Sequence, residues 1–259
     1  MDFDFENVAV PFRMQPGLRR IAPDHPQLVP LDAGSALYRE KLAVMRAGQS
    51  RHAVAGFDPA PALQAIAERL TTDAPLELAC EQDLAVLDGE TGTLPWLCAC
   101  VPSHWAPEDK VGLHFAALHA PVADNAALLA ASAPLIKLVT EGECWERHVW
   151  TLSPSGRYDQ HPRRHAREPW PQTADTEAFG QRCWLRVERQ TFFPVGRGTR
   201  QSVFAIRVML QPLPAAAAMP GAARRLHDSL ASMSDAVLAY KGLAGAREQL
   251  LAFLAARMV

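Results

Sequence analysis

Five strand-like runs, with helical sequence between only one consecutive pair, constrain this chain more than any other feature. They are Asp83–Gly89, Trp96–Val101, Trp145–Leu152, Cys183–Phe193 and Gln201–Leu210. Apolar, aromatic and β-branched residues dominate them. Parallel neighbours need long crossovers, usually helical, and only the second and third runs are separated that way. The spacing therefore predicts a five-stranded antiparallel sheet in an α+β domain, not a doubly wound α/β fold. The run Trp96-Leu-Cys-Ala-Cys-Val101 has no polar face, so the sheet should be covered by helices on both sides.

The helices bracket these strands. Residues 1–34 are proline-rich and read as an irregular strap. Ser35 caps a helix running to about Gly48, with Leu37, Leu42 and Met45 on one side. A second helix spans Pro59 to Leu70 behind the N-cap Asp58. The insertion reads as helices near 107–119 and 124–140, the latter capped by Asp124. Alanine- and leucine-rich helices follow at 220–232, 234–241 and 243–257. Residues 1–259 are expected to form one domain, with the sheet core in 83–210 and the C-terminal helices of 220–257 packed on it.

Composition excludes several classes of protein. The formal charge is -2, so no basic excess points to nucleic acid. No apolar run is long enough for a membrane span, and the acidic start lacks a signal-peptide pattern. A cytoplasmic protein is the expectation. The 5 cysteines contain no Cys-x-x-Cys and read as buried free thiols. Dinucleotide-binding, phosphate-loop, serine-elbow and zinc-protease motifs are absent, so redox chemistry would draw electrons from another protein.

Three constellations can carry chemistry. The first is the helix from Pro107, where Val111, Phe115 and Leu118 form an apolar stripe with His114 and His119 on its shoulders. Neutral imidazole is the commonest protein metal ligand, so either is a candidate for haem iron. The ordinary alternative is a pair of partly buried histidines bonded to backbone. The second is Leu185 to Phe192, where Arg186, Glu188 and Gln190 share one strand face and Val187, Arg189 and Thr191 the other. Arg189 then projects among apolar neighbours and needs a carboxylate, either a haem propionate or an internal acid. The third is the loop Arg157–Arg167, where His161 or His165 is a candidate acid–base group or ligand unless the loop is simply solvated or docks an acidic redox partner.

The motifs Pro102-Ser-x-Trp105-x-Pro107, Lys110-x-Gly112, His119-x-Pro121-Val122, Trp150 and Arg186-x-Glu188-Arg189-Gln190-Thr191 together resemble the haem-dependent oxidative N-demethylase family. The opening Phe12-Arg-Met-Gln-Pro-Gly17 fits as well, and the resemblance covers roughly residues 5–255. It implies a PAS-like sheet binding haem b. The implied reaction removes a methyl group from a small secondary amine with dioxygen and releases formaldehyde. Separate reductase subunits carrying flavin and iron–sulfur groups would supply electrons from NADPH. His119 becomes the proximal ligand because it occupies the His-x-Pro-Val motif, with His114 as the alternative. Arg189 or Arg186 would hold propionates, and Trp105, Trp150 and Phe204 would line the pocket. The resemblance assigns no catalytic side chain. The alternatives are a haem-binding sensor or carrier without turnover, and a haem-less structural or interaction domain.

Overall fold

Side chains alternate along three long strands, and that alternation builds both faces of a single sheet. A computed structural model describes residues 2–70 and 72–258. The strands are β1 (Arg19–Ile21), β2 (Arg51–Ala53), β3 (Asp83–Asp88), β4 (Trp96–Cys98), β5 (Cys144–Ser153), β6 (Trp184–Pro194) and β7 (Gln201–Pro212). Their spatial order is β1-β5-β6-β7-β3-β4-β2, and every pairing is antiparallel. The mixed, antiparallel expectation holds, but the sheet has 7 strands, not five. The two additional strands are three residues each and sit at the sheet edges. Such short segments show no alternation; they exist because β5 and β4 offer unpaired backbone. The strap thus contributes an edge strand.

One sheet face carries Trp150 and Leu152 of β5, Leu185 and Val187 of β6 and Met209 of β7. They pack under the C-terminal helices through Leu226, Leu230, Leu250 and Phe253, all fully buried. Each such apolar side chain contributes about 1.5–3 kcal/mol on burial. Gly180 is required here, because a Cβ would collide with the Phe253 ring. Further along the same face, Phe193, Val203 and Ala205 meet the helix Ala60–Ala67 through Ala62 and Ile66. The opposite face carries Phe192, Phe204, Trp145, Ala85 and Leu87, packed with Val139 of the helix Ser132–Thr140.

The helices depart from the sequence expectations at several places. The first helix is Ala36–Arg46, capped by Ser35, but its buried stripe is Leu37, Lys41 and Val44. Lys41 faces inward because Asp83 Oδ1 lies 3.1 Å from its Nζ and the Gln82 carbonyl accepts at 2.7 Å. Asp58 accepts the Ala60 N–H, as expected of a cap, but the helix ends at Ala67. The expected 107–119 helix is broken into a 3-10 turn at Pro107–Asp109 and a short helix at Phe115–His119. Gly112 turns the chain between them with φ of 79°. The 124–140 helix is also split, into Ala126–Ala130 and Ser132–Thr140. Asp124 caps neither; it adopts φ of 54° and accepts a hydrogen bond from Ser234.

All five cysteines are free and buried. No helix among the described residues is long and apolar enough to cross a membrane.

The anchor of β2 is expected to be acid-sensitive. Glu77, on the short helix Leu76–Ala79, accepts from Ser50 Oγ at 2.7 Å and from Arg51 Nε at 2.7 Å, anchoring β2. Burial opposes its charge, but the Arg51 and Ser50 hydrogen bonds outweigh burial and hold the carboxyl at about 2. The folded value lies below the ordinary one, about 4.3. The stabilisation is therefore complete above about pH 4.3 and lost as pH falls towards about 2. Urea-unfolding midpoints of the wild type and Glu77→Gln should differ at neutral pH and converge across that window. A difference that persists at the acid end would show that the effect is not ionic.

Candidate functional site

The middle of the second sheet face is polar, and a cavity of about 330 Å³ opens above it. Its size lies within the range of small-molecule sites. Two paired strands supply seven cavity residues, six of them as three facing pairs and the seventh, Trp150, at the rim. Arg147 of β5 stands opposite Gln190 of β6, Val149 opposite Glu188, and Thr151 opposite Arg186. The sequence expectation that Arg186, Glu188 and Gln190 share a face is met. Ser103, His104 and Trp105 enter from the segment after β4, and His119, Val122 and Leu128 from the helical insertion. Tyr240 and Lys241 close one side from the helix Asp235–Lys241.

His119 ends its helix and lines the cavity. Its Nδ1 lies 2.8 Å from the Phe115 carbonyl oxygen. A carbonyl can only accept, so Nδ1 carries the proton and the Nε2 lone pair is left open. Burial pushes the imidazole pKa down, although the bond to Phe115 opposes this, so the ring is neutral at pH 7. Phe115 also packs against the ring at 4.2 Å between centroids. A neutral ring with a backbone-fixed tautomer and a free Nε2 is the form a metal ligand takes.

His114 is not in the cavity. The break at Gly112 makes it the N-cap of the short helix, where its Nδ1 accepts the Ala116 N–H at 3.1 Å. Its Nε2 sits over Gly92, 2.5 Å from where a Cβ would stand.

Arg186 is buried beside the cavity, and its N–H groups are largely committed. It donates to Ser103 Oγ at 2.8 Å and to the carbonyls of Arg157, Val101 and Tyr158 at 3.0–3.2 Å. Arg189 points to the other sheet face. Its Nε lies 2.6 Å from Glu146 Oε2, and its Nη2 donates to the Pro26 carbonyl. The internal acid allowed for in the sequence reading is thus Glu146. Trp105 lines the cavity, and Trp150 reaches its rim, where its carbonyl accepts Lys241 Nζ at 2.8 Å. Phe204 lies elsewhere, stacked on Phe192 at 4.5 Å.

The loop 157–167 is pinned rather than freely solvated. His161 Nε2 meets Glu108 at 3.1 Å, His165 Nε2 meets Asp159 at 3.1 Å, and Arg163 bridges Glu108 and Asp109. Neither histidine lines the cavity; Gln160 and Arg167 of the same loop do.

Glu188 was marked by its strand face, whereas Lys241, His104 and Arg147 gave little sign of themselves in the sequence. Glu188 is held by Ser103 Oγ and by Gln190 Nε2, the latter at 2.7 Å, which aligns its carboxylate. Burial lowers the pKa of Lys241 to about 8, with Glu188 opposing and Arg147 assisting. Burial also lowers that of His104, to about 4, with Arg167 and Arg186 adding to the effect. Arg147 stands between Glu146 and His148 in β5, and that polar triplet gives no sequence signal of a cavity residue.

A family model described as haem-dependent oxidative N-demethylase, alpha subunit-like, matches residues 40–251. The chain belongs to that family. The matched span contains His119, both arginines of β6 and the whole cavity wall except the strap residues Met14 and Gln15. Haem dependence is part of the family's description, and the donor set suits such a group: a neutral imidazole with a free Nε2, apolar walls and cations available to carboxylates. Among the described residues, no cluster of three or more His, Cys, Asp or Glu side chains suits a bare metal ion.

Proposed function

We propose that the chain binds haem b through His119 and removes a methyl group oxidatively from a small secondary amine, releasing formaldehyde. The observation that carries this reading is the His119 imidazole, with its Nδ1 tied to Phe115 and its Nε2 open in a cation-rich cavity. Arg167 and Lys241 at the rim are placed for the propionates, and Arg186 adds positive field although its N–H groups are mostly engaged. Bound haem supplies dioxygen activation, chemistry that side chains lack. The balance is one oxygen atom in formaldehyde and the other in water, with an electron pair from a reductant. An "alpha subunit" description supports partner subunits as that source, with flavin, iron–sulfur and NADPH sites housed there in the cytoplasm.

The protein's own residues bind and orient the substrate. Glu188, fixed by Ser103 and Gln190, receives the protonated amine, and Trp105 and Val149 exclude water around the methyl group. A charge-assisted hydrogen bond is worth about 1.5–3 kcal/mol. Glu188→Gln should therefore raise KM for the amine roughly tenfold to a hundredfold and leave haem content unchanged. The direct test is a Soret band in the purified protein, followed by formaldehyde assay over a panel of N-methylated amines with an artificial reductant and oxygen. A Soret band without formaldehyde from any amine would make the chain a haem sensor or carrier. Absence of the band would leave a structural or interaction domain.

A further inference from the structure

Arg147 is the one cavity cation that the fold leaves unused. Among the described residues, its Nε is buried without a hydrogen-bond partner, and no ion pair holds its guanidinium. The other cavity cations already donate within the fold: Arg186 to Ser103 and backbone carbonyls, Lys241 to the Trp150 carbonyl and Arg167 to the Lys241 carbonyl, the last two keeping further N–H groups for the propionates. Its Nε is shut off from water without a partner although the residue as a whole is half-buried, and a planar carboxylate is the group that satisfies Nε and a neighbouring Nη in two-point fashion. Glu188 lends Arg147 a favourable field but no hydrogen bond; its oxygens accept from Ser103 and Gln190. Yet Glu188 lies on the same face, one cross-strand step from Arg147, because Val149 and Gln190 are their respective partners across β5 and β6. The cavity thus presents a fixed carboxylate and a free guanidinium side by side.

We propose that the substrate is an N-methylated amino acid, with its amine on Glu188 and its carboxylate on Arg147. This rests on the amine-demethylase reading and narrows its substrate class. The net charge of the cavity agrees. Arg147, Arg167, Arg186 and Lys241 outnumber Glu188 even when a pair of haem propionates is added. A protonated dialkylamine would enter against that surplus, whereas a zwitterion adds no net charge.

Calorimetric titration of the purified full chain tests this with N-methylglycine, N-methylglycinamide and dimethylamine as probes. N-methylglycine should bind at least about tenfold more tightly than either of the others, since a bidentate Arg–carboxylate pair is among the stronger hydrogen-bonded contacts. Arg147→Gln should abolish that preference while leaving dimethylamine affinity unchanged. Equal affinity for N-methylglycine and its amide in the wild type overturns the proposal without recourse to any variant. Loss of the Soret band in Arg147→Gln, with N-methylglycine affinity intact, would assign the guanidinium to a propionate and overturn it as well. Because calorimetry needs no haem colour, a wild type lacking the Soret band would defeat the haem reading separately, and the ligand comparison would still decide the role of Arg147.

Discussion

His119→Ala should purify without stoichiometric haem while keeping its fold. Disturbing a residue that merely orients a metal ligand costs about 10–100-fold in affinity, and losing the ligand itself should cost more. The Soret absorbance per protein should therefore fall by at least about tenfold. Stability of the haem-free protein should fall only modestly. The His119 ring is half-buried and its polar bond goes to the backbone of its own short helix, so its removal should cost about 1 kcal/mol, the centre of the range for single substitutions. Added imidazole should restore part of the band by occupying the space left by the ring. His114→Ala should keep its haem, because that ring caps a helix and packs on Gly92. Full haem retention in His119→Ala would show that another side chain holds the haem.

Arg189→Ala should behave in the opposite way, losing stability rather than haem affinity. Glu146 is 1% exposed, and Arg189 supplies the buried half of its charge compensation at 2.6 Å. Arg19, 60% exposed, supplies the rest from β1. Burial disfavours the Glu146 carboxylate, and the bonds from Arg189 and Arg19 outweigh this and hold its pKa below the usual range. Breaking a buried pair costs about 3–5 kcal/mol, and the remaining Arg19 contact puts the expected loss near the lower end, about 3 kcal/mol. Chemical denaturation measures this directly. Glu146→Gln combined with Arg189→Ala should cost less than the sum of the single changes, because the second removes a partner already gone. Unchanged stability in Arg189→Ala, with haem content reduced, would return Arg189 to the role of propionate holder.

The contrast between Arg186 and Arg189 shows how far strand periodicity reaches. Alternation placed them on opposite faces, and the β5–β6 register agrees. It could not say which face holds the cavity. That depends on where the C-terminal helices pack, and Leu226, Leu230 and Phe253 cover the Arg189 side near Leu185 and Val187. The same limit applied to the histidines. A continuous helix through 107–119 puts His114 and His119 on comparable shoulders, and only the left-handed turn at Gly112 separates their surroundings. Lys41 was hidden for a related reason: a lysine reads as solvent-facing until Asp83, from a distant strand, is seen beneath it.

The chain's order of residues by itself determined the antiparallel sheet, the two-faced pattern of β6 and the family motif around His119, because these follow from spacings of a few residues along one strand or helix. Tertiary structure alone decided that β1 and β2 join the sheet, that Glu146 neutralises Arg189, and that Arg147 faces the cavity without a partner. Those outcomes depend on contacts between segments far apart in the chain, Arg189 with Glu146 across 43 positions and Arg19 with Glu146 across 127. Local periodicity carries no information about which distant charge or ring will arrive.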